Sequence, residues 1–356
     1  MERYGCCAAR SLEYILQNKE RRFCLSIDMD GKGRHMNSQY DNARGRMGEA
    51  HRRLFTDLEE TGYRGCVVSI LRLRDLQEKL DESHGLAYFD EEFYQERLGW
   101  FVFSQPDHLP EARSIIIVAY SHPQTRVTFS WNGKPVDLIV PPTYLHGNKG
   151  DDRIRELLMA SLQPSGYQVV EALLPKKLLA VCSGLGDYGK NNLCYVEGMG
   201  SFLRLAAYYS DLPCEEDNWR EPQMMVACKK CSACVTQCPT GAISKDRFLV
   251  RAELCITYHN EKPGNVPFPA WIDSSWHNCL VGCMTCQRSC PKNKDRWYEI
   301  EDGARFSQEE TAMLLKGTAL EQLPKSMVEK LEQFDLIDFH DIFPRNLGLF
   351  LHRAAS

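Results

Sequence analysis

The chain has 356 residues, 43% of them hydrophobic and 26% charged, with a formal net charge of -5 at pH 7. That length suits two or three domains with cores of their own, and the composition excludes a disordered chain. The acidic balance offers no broad basic face for a dedicated nucleic-acid binder. With neither an apolar run long enough to span a bilayer nor a secretory leader, a cytoplasmic protein without a membrane partner is expected.

In chain order, residues 1–45 are mixed polar sequence, with the adjacent thiols Cys6 and Cys7, a further Cys24, and a turn-rich stretch from Asp28 to Arg34. Residues 46–82 predict a helix, a strand over Gly65–Leu71 and a charged helix over Leu73–Leu80. Ser114–Tyr120 is a continuous β-branched run, the pattern of a buried strand. Trp131-Asn-Gly-Lys134 predicts a hairpin turn, Pro141-Pro142 a break, and Asp151–Leu162 an amphipathic helix with Asp151 and Asp152 in its first turn. In that position the two carboxylates complement the helix dipole. Leu178–Cys182 is expected as a strand, Ser307–Leu315 and Leu320–Phe334 as helices, and Pro344–Leu351 closes the chain.

Ser183-Gly-Leu-Gly-Asp-Tyr-Gly-Lys-Asn191 contains a literal G-x-G-x-x-G, with Asp211 about twenty residues on, as a dinucleotide site requires. Its context argues against that use. The third glycine should open a helix, whereas residues 191–209 carry two more glycines and an alternating apolar pattern, which reads as two strands around a turn. The glycines are better explained as letting backbone pass close to a large flat ligand.

Most of the chemistry lies between residues 228 and 290. Cys228, Cys231, Cys234 and Cys238-Pro239 form a C-x2-C-x2-C-x3-C-P run, and Cys279, Cys283, Cys286 and Cys290-Pro291 form a second with one extra residue in its first interval. Structural zinc takes four ligands in two C-x2-C pairs. Two triplets with trailing Cys-Pro instead predict paired [4Fe-4S] clusters, the cysteine before each proline ligating the cluster opposite. Crossed ligation assigns Cys228, Cys231, Cys234 and Cys290 to one cluster, and Cys238, Cys283 and Cys286 to the other. Its fourth ligand is Cys255 or Cys279, and spacing alone leans to Cys279.

Five segments, in order and spacing, resemble the epoxyqueuosine reductases, cousins of the reductive dehalogenases. They are Pro110-Glu-Ala-Arg-Ser-Ile-Ile-Ile-Val-Ala, the Ser183–Asn191 stretch, Cys228–Ile243 with its Cys-Pro-Thr-Gly-Ala ending, Cys255-Ile-Thr-Tyr258, and Gly282–Asn293, with an echo at Pro344-Arg-Asn-Leu347. The resemblance implies an α/β (α+β) fold with a nitroreductase-like cobalamin-binding domain, a ferredoxin-like double-cluster module and a short helical C-terminal segment. It implies Cys255 as the remaining ligand and Cys279 as a bystander, and a corrin lined by Ser183, Gly184, Leu185, Gly186, Lys190 and Asn191. The chain departs from the family where a catalytic aspartate precedes a helix: aligned on Arg153-Ile154, Gly150 takes its place, and one residue on stands Asp151. Tyr144, His146, Asp151 and Asp152 are the candidate proton donors.

The expected division is 1–100 for a divergent start of the α/β domain, 101–220 for its core, 221–300 for the cluster module and 301–356 for the helical segment. The expected function is reduction of an organic substrate by a corrinoid fed from two [4Fe-4S] clusters, by deoxygenation or dehalogenation. The alternative is an electron-transfer protein that reactivates the corrinoid of a partner methyltransferase. Expected partners are a low-potential donor of ferredoxin or flavodoxin type and a small-molecule or modified-nucleoside substrate; the negative net charge speaks against transfer RNA.

Overall fold

The structure, a computed structural model, describes residues 36–355. Cys6, Cys7, Cys24 and the Asp28–Arg34 stretch lie outside the described residues. The first sheet has the order β1–β2–β8–β5, all antiparallel, formed by β1 (Arg64–Ser69), β2 (Ser114–Ser121), β5 (Val169–Glu171) and β8 (Leu203–Ser210). The unbroken Ile-Ile-Ile-Val run of β2 reflects burial on both faces. Ile115, Ile117 and Ala119 enter one core with Leu73 and Leu76 of helix α2 (Arg72–Gly85), while Ile116, Val118 and Tyr120 enter another. The second core is completed by Ala50, Leu54 and Leu58 of α1 (Met36–Glu60) and Ile154, Leu158 and Leu162 of α4 (Gly147–Leu162), with α3 (Glu91–Arg97) falling between them in sequence. Layered helices on both faces of a sheet make this an α/β fold, as expected.

A second sheet has the order β4–β3–β9. β3 (Gln124–Trp131) and β4 (Lys134–Val140) form the expected hairpin, with Asn132 at φ 49° and Gly133 at φ 73°, the left-handed pair that its tight turn needs. β9 (Ile300–Phe306) returns from beyond the cysteine runs to pair parallel with β3. Helices α9 (Gln308–Lys316), α10 (Lys325–Gln333) and α11 (Phe343–Ala355) pack on this sheet through Leu314, Met327, Leu331, Phe343, Leu347 and Leu351. Ser307 and Glu310 form a reciprocal capping box at the start of α9, which fixes where that helix begins.

Three elements differ from the sequence reading. Leu178–Cys182 belongs to a helix, α5 (Lys176–Cys182). A five-residue apolar run has no periodicity to separate strand from helix, and Pro175 at the N-cap with leucine and alanine inside favours the helix. The helix expected from Asp151 begins a turn earlier, at Gly147, behind His146 in a left-handed conformation (φ 56°), so Asp151 and Asp152 do not face its N-terminal dipole. Pro324 splits the stretch after Leu320 into a 3-10 turn (Leu320–Gln322) followed by α10. The glycine segment forms a two-strand hairpin, β6 (Asp187–Tyr188) with β7 (Cys194–Tyr195), and no helix follows its third glycine, as the reading against a dinucleotide site anticipated. Among the described residues no helix is long and apolar enough to cross a membrane.

The Pro344-Arg-Asn-Leu347 echo has a structural role. Arg345 donates to the carbonyls of Asn260, Lys262, Pro263 and Val266, and the buried Asn346 amide donates to the carbonyls of Asn260 at 3.1 Å and Leu280 at 3.0 Å. Asn346→Ala leaves the Leu280 carbonyl without its donor while Asn260 O keeps Arg345, so chemical denaturation of the purified protein is expected to register a loss of about 1–3 kcal/mol. An unchanged midpoint would show that water replaces the amide.

Candidate iron-sulfur site and adjoining hollow

The cysteine runs sit on short helices, α6 (Ala233–Gln237) and α8 (Thr285–Arg288), and around α7 (Ile256–Asn260), whose N-cap is Cys255. The thiols fall into two groups. Cys228 and Cys234 lie within electrostatic reach of Cys231 and Cys290. Cys255 lies within reach of Cys283 and Cys238, and Cys286 within reach of Cys283 and Cys255. Cys286 also feels Cys234, so the two groups stand side by side. Burial first, and the neighbouring thiolates after it, push Cys234 and Cys255 up to about 11. Such a set resists ionising until a cation joins it, and iron supplies that charge. Among the described residues no three His, Cys, Asp or Glu side chains close around a single ion. Thiolates at the corners of a cubane have no need to do so.

Cys279 also lies within electrostatic reach of Cys283, but its surroundings differ from those of the other thiols. It is fully buried with Phe202 and Met284, and its thiol donates to Asn278 Oδ1 at 3.1 Å. Asn278 Nδ2 in turn reaches Cys283 Sγ at 3.3 Å, an N–H to sulfur contact of the kind that tunes cluster potentials. Cys255 lies outside the second run in sequence, and the N-cap turn there brings its thiol within reach of Cys283 and Cys238, so both candidate fourth ligands neighbour Cys283.

The glycine segment meets the cysteines at one end only. Lys190 directs its backbone N–H at the Cys228 thiol and donates through Nζ to Cys231 O at 2.8 Å, and the Asn191 side chain reaches both Cys286 and Tyr195 Oη. Ser183, by contrast, is buried and donates back to Ala180 O. Gly184 at φ 83° lies beside Arg220, which grips Gly186 O and Asp187, while Leu185 packs into the core. A Cβ at Gly186 would stand 2.5 Å from Tyr195 O and 2.9 Å from Cys194 Sγ, so the close approach it serves is between β6 and β7.

Sequence reasoning missed Lys177. Burial lowers its pKa below that of a free lysine, against the pull of Cys194, Cys255, Glu261 and Cys286 around it. Yet the side chain retains exposed surface. We read the two together as a hollow: Lys177 is surrounded by protein yet open on one side. The hollow adjoins the group containing Cys255 and Cys286. Glu261 is held there by Arg97 at 2.9 Å and accepts from Tyr144 Oη. Glu171 shows the same pairing of protein surroundings, which raise its pKa, with an exposed side chain. A lone Lys-Lys after a proline carries no signal in sequence, so only the fold identifies it.

Of the four candidate donors, Tyr144 meets this hollow through Glu261. Asp151 lies toward it through Lys176, its carboxylate taking the Tyr120 hydroxyl at 3.3 Å with Lys176 and Arg204 each at 3.8 Å. His146 is held between Asp335 at 3.5 Å and Glu301 at 3.7 Å, and the exposed Asp152 pairs with Arg155 on its own helix. Gly150 has no room for a side chain, because a Cβ there would collide with the Tyr120 hydroxyl and lie 2.7 Å from Cζ of that ring. Gly150→Ala is therefore expected to cost about 1–3 kcal/mol by overpacking. With Tyr120→Leu in the background the added cost should shrink, a coupling that a double-mutant cycle in thermal unfolding measures.

Residues 227–293 match the 4Fe-4S double cluster binding domain family. The epoxyqueuosine reductase of Salmonella typhimurium is 29% identical over 264 residues, covering 70% of this chain and 65% of that protein. That of Bacillus subtilis is 26% identical over 247 residues, covering 62% and 61%, and that of Yersinia pestis 35% identical over 140 residues, covering 39% and 32%. In each case the chain spans less than two thirds of the relative's length. Among solved structures, the epoxyqueuosine reductase of Streptococcus thermophilus superposes with a TM-score of 0.56 at 18% identity, covering 85% of this chain and 81% of that one. An epoxyqueuosine reductase solved with an epoxyqueuosine-modified tRNA stem loop superposes at 0.54 and 20% identity, covering 88% and 81%. These two likenesses show a shared fold. The sequence relatives, with the ordered motifs, make the chain epoxyqueuosine reductase-like, and residues 227–293 carry a double 4Fe-4S cluster binding domain.

Proposed function

We propose that this protein is a cobalamin- and iron-sulfur-dependent reductase that removes oxygen from carbon in an organic substrate. Cys228, Cys231, Cys234 and Cys290 hold one [4Fe-4S] cluster, and Cys238, Cys255, Cys283 and Cys286 hold the other. The reading is carried by the hollow around Lys177, set against the second group of thiols. It offers space where electrons leaving that cluster can be used. The glycine segment supports the clusters through Lys190 and Asn191.

The corrinoid is placed in this hollow on two grounds: Lys177 and Glu171 are exposed there though surrounded by protein, and Lys177 borders the thiol group that includes Cys255 and Cys286. Bound there, it would supply a strongly reducing cobalt, chemistry that belongs to the cofactor. The chain supplies the surroundings. Lys177 Nζ offers cationic donors inside the hollow, Arg97 fixes Glu261, and Tyr144 Oη holds a proton hydrogen-bonded to the Glu261 carboxylate. Among the candidate donors Tyr144 is the best connected to this space. An external low-potential carrier supplies electrons, and a modified nucleoside of the kind borne by the tRNA stem loop is the first substrate to test.

Anaerobic protein loaded with hydroxocobalamin is expected to hold about eight irons and about one corrinoid per chain. Clusters without corrinoid uptake would overturn the proposal. Cys255→Ser should lose a cluster's worth of iron while Cys279→Ser keeps it all, and the reverse result would exchange the two assignments. Tyr144→Phe, with iron and corrinoid intact, is expected to lower turnover of an epoxyqueuosine-bearing stem loop by about 10²–10⁴-fold.

A further inference from the structure

The two thiol groups sit in surroundings of opposite charge. Lys229 and Lys230 lie between Cys228 and Cys231, and Lys292 and Lys294 follow Cys290, a thiol of the same group. All four lysines are exposed, and none makes an ion pair among the described residues. Because each lies within four residues of a thiol in one group, the chain's own reach confines the four to one neighbourhood. Val226, at 78% exposure, precedes Cys228 by two residues and lies one 3-10 turn from Lys229, whose N–H donates to Val226 O at 3.1 Å. Beside Cys255 the sign reverses. A cavity of about 470 Å³ is lined there by Asp90, Glu92, Glu96 and Glu253 with Tyr258 and Lys262, and Lys262 is neutralised by Glu92 and Glu96, each at 2.7 Å. Four exposed lysines and an exposed valine thus flank, along the chain, the thiols of one group in a chain whose net charge is -5, while the approach to the other group is acidic.

We propose that the collar of Lys229, Lys230, Lys292 and Lys294 around Val226 is the docking surface for a small acidic one-electron carrier protein. Electrons then enter at the Cys228 group and leave at the Cys255 group. This deepens the reductase reading and rests on it only for where the electrons go afterwards. Complementary charge steers an acidic carrier to the collar, and the carboxylates near Cys255 repel it from the group bordering the hollow, which separates entry from use. The exposed valine gives the encounter a dry centre within a charged rim. On docking, the carrier's cofactor gives up one electron and the first cluster accepts it, with no bond broken and no proton required. RNA would also be drawn to lysines, but it has no use for an apolar centre set over a redox group, and the observations favour the protein carrier.

The test is calorimetric titration of the iron-replete protein with flavodoxin, an acidic flavin carrier, at low and at raised salt. Wild type should bind, and added salt should weaken it. K229E/K230E/K292E, checked first for full iron content, should bind about tenfold more weakly or not at all. Lys325→Glu, on a distant helix, should match wild type. If the triple reversal fails to retain iron, K229Q/K230Q/K292Q serves in its place with a smaller loss in the same direction. Equal binding by wild type and the collar variant overturns the proposal. So does an unmodified RNA hairpin that binds through these lysines while flavodoxin does not. Flavodoxin binding at the collar in a protein that takes up no corrinoid would leave this surface standing and sink the reductase reading alone.

Discussion

Two buried amides hold the molecule's working parts in register. Asn260 Nδ2 donates to Gly282 O at 2.8 Å, and Asn346 Nδ2 bridges the carbonyls of Asn260 and Leu280. Three segments far apart in sequence meet at that point: the turn after Cys255, the loop of the second cysteine run, and the final helix. Leu280 N–H also donates to Ile139 O at 3.0 Å, which fastens the same loop to β4. The Asn260 Oδ1 is buried without a hydrogen-bond partner, so the network is held by its amide donors alone. Here its geometry decides whether Cys255 can meet Cys283 at all. A cysteine seventeen residues from Cys238 and twenty-eight from Cys283 joins their group where these asparagines hold the backbone.

The parts of the fold legible in sequence were those with a repeating or punctuated signal. The β2 run announced a strand buried on both sides, Asn132-Gly133 announced its hairpin, and the Cys-Pro endings announced two groups of thiols. What was hidden depended on long-range placement. The short apolar run of α5 looks the same as a buried strand until the sheet is assembled around it. The spatial grouping of Cys255 with Cys238 and Cys283 cannot be had from intervals within either run. Lys177 has no motif at all, and its setting comes from the spacing of a helix against a module encoded eighty residues later. The glycines of the Ser183–Gly189 stretch were read as a cradle for a flat ligand, and at Gly186 the structure adds a close approach of one strand to another.

Charge follows the same organisation. The chain's excess of carboxylates is not spread evenly: several gather beside α7, where Lys262 and Arg97 neutralise part of them. Lysines remain unpaired where the first group of thiols approaches the surface. Clusters that accept negative charge on reduction are better stabilised beside cations, so this unevenness also bears on the relative potentials of the two groups.

The crowding at Gly150 ties that position to Tyr120, because a side chain can enter there only if the tyrosine ring gives way. The two positions are therefore epistatic. The effect of a replacement at either one depends on what already stands at the other, so the order in which the two are changed decides which combinations this fold tolerates.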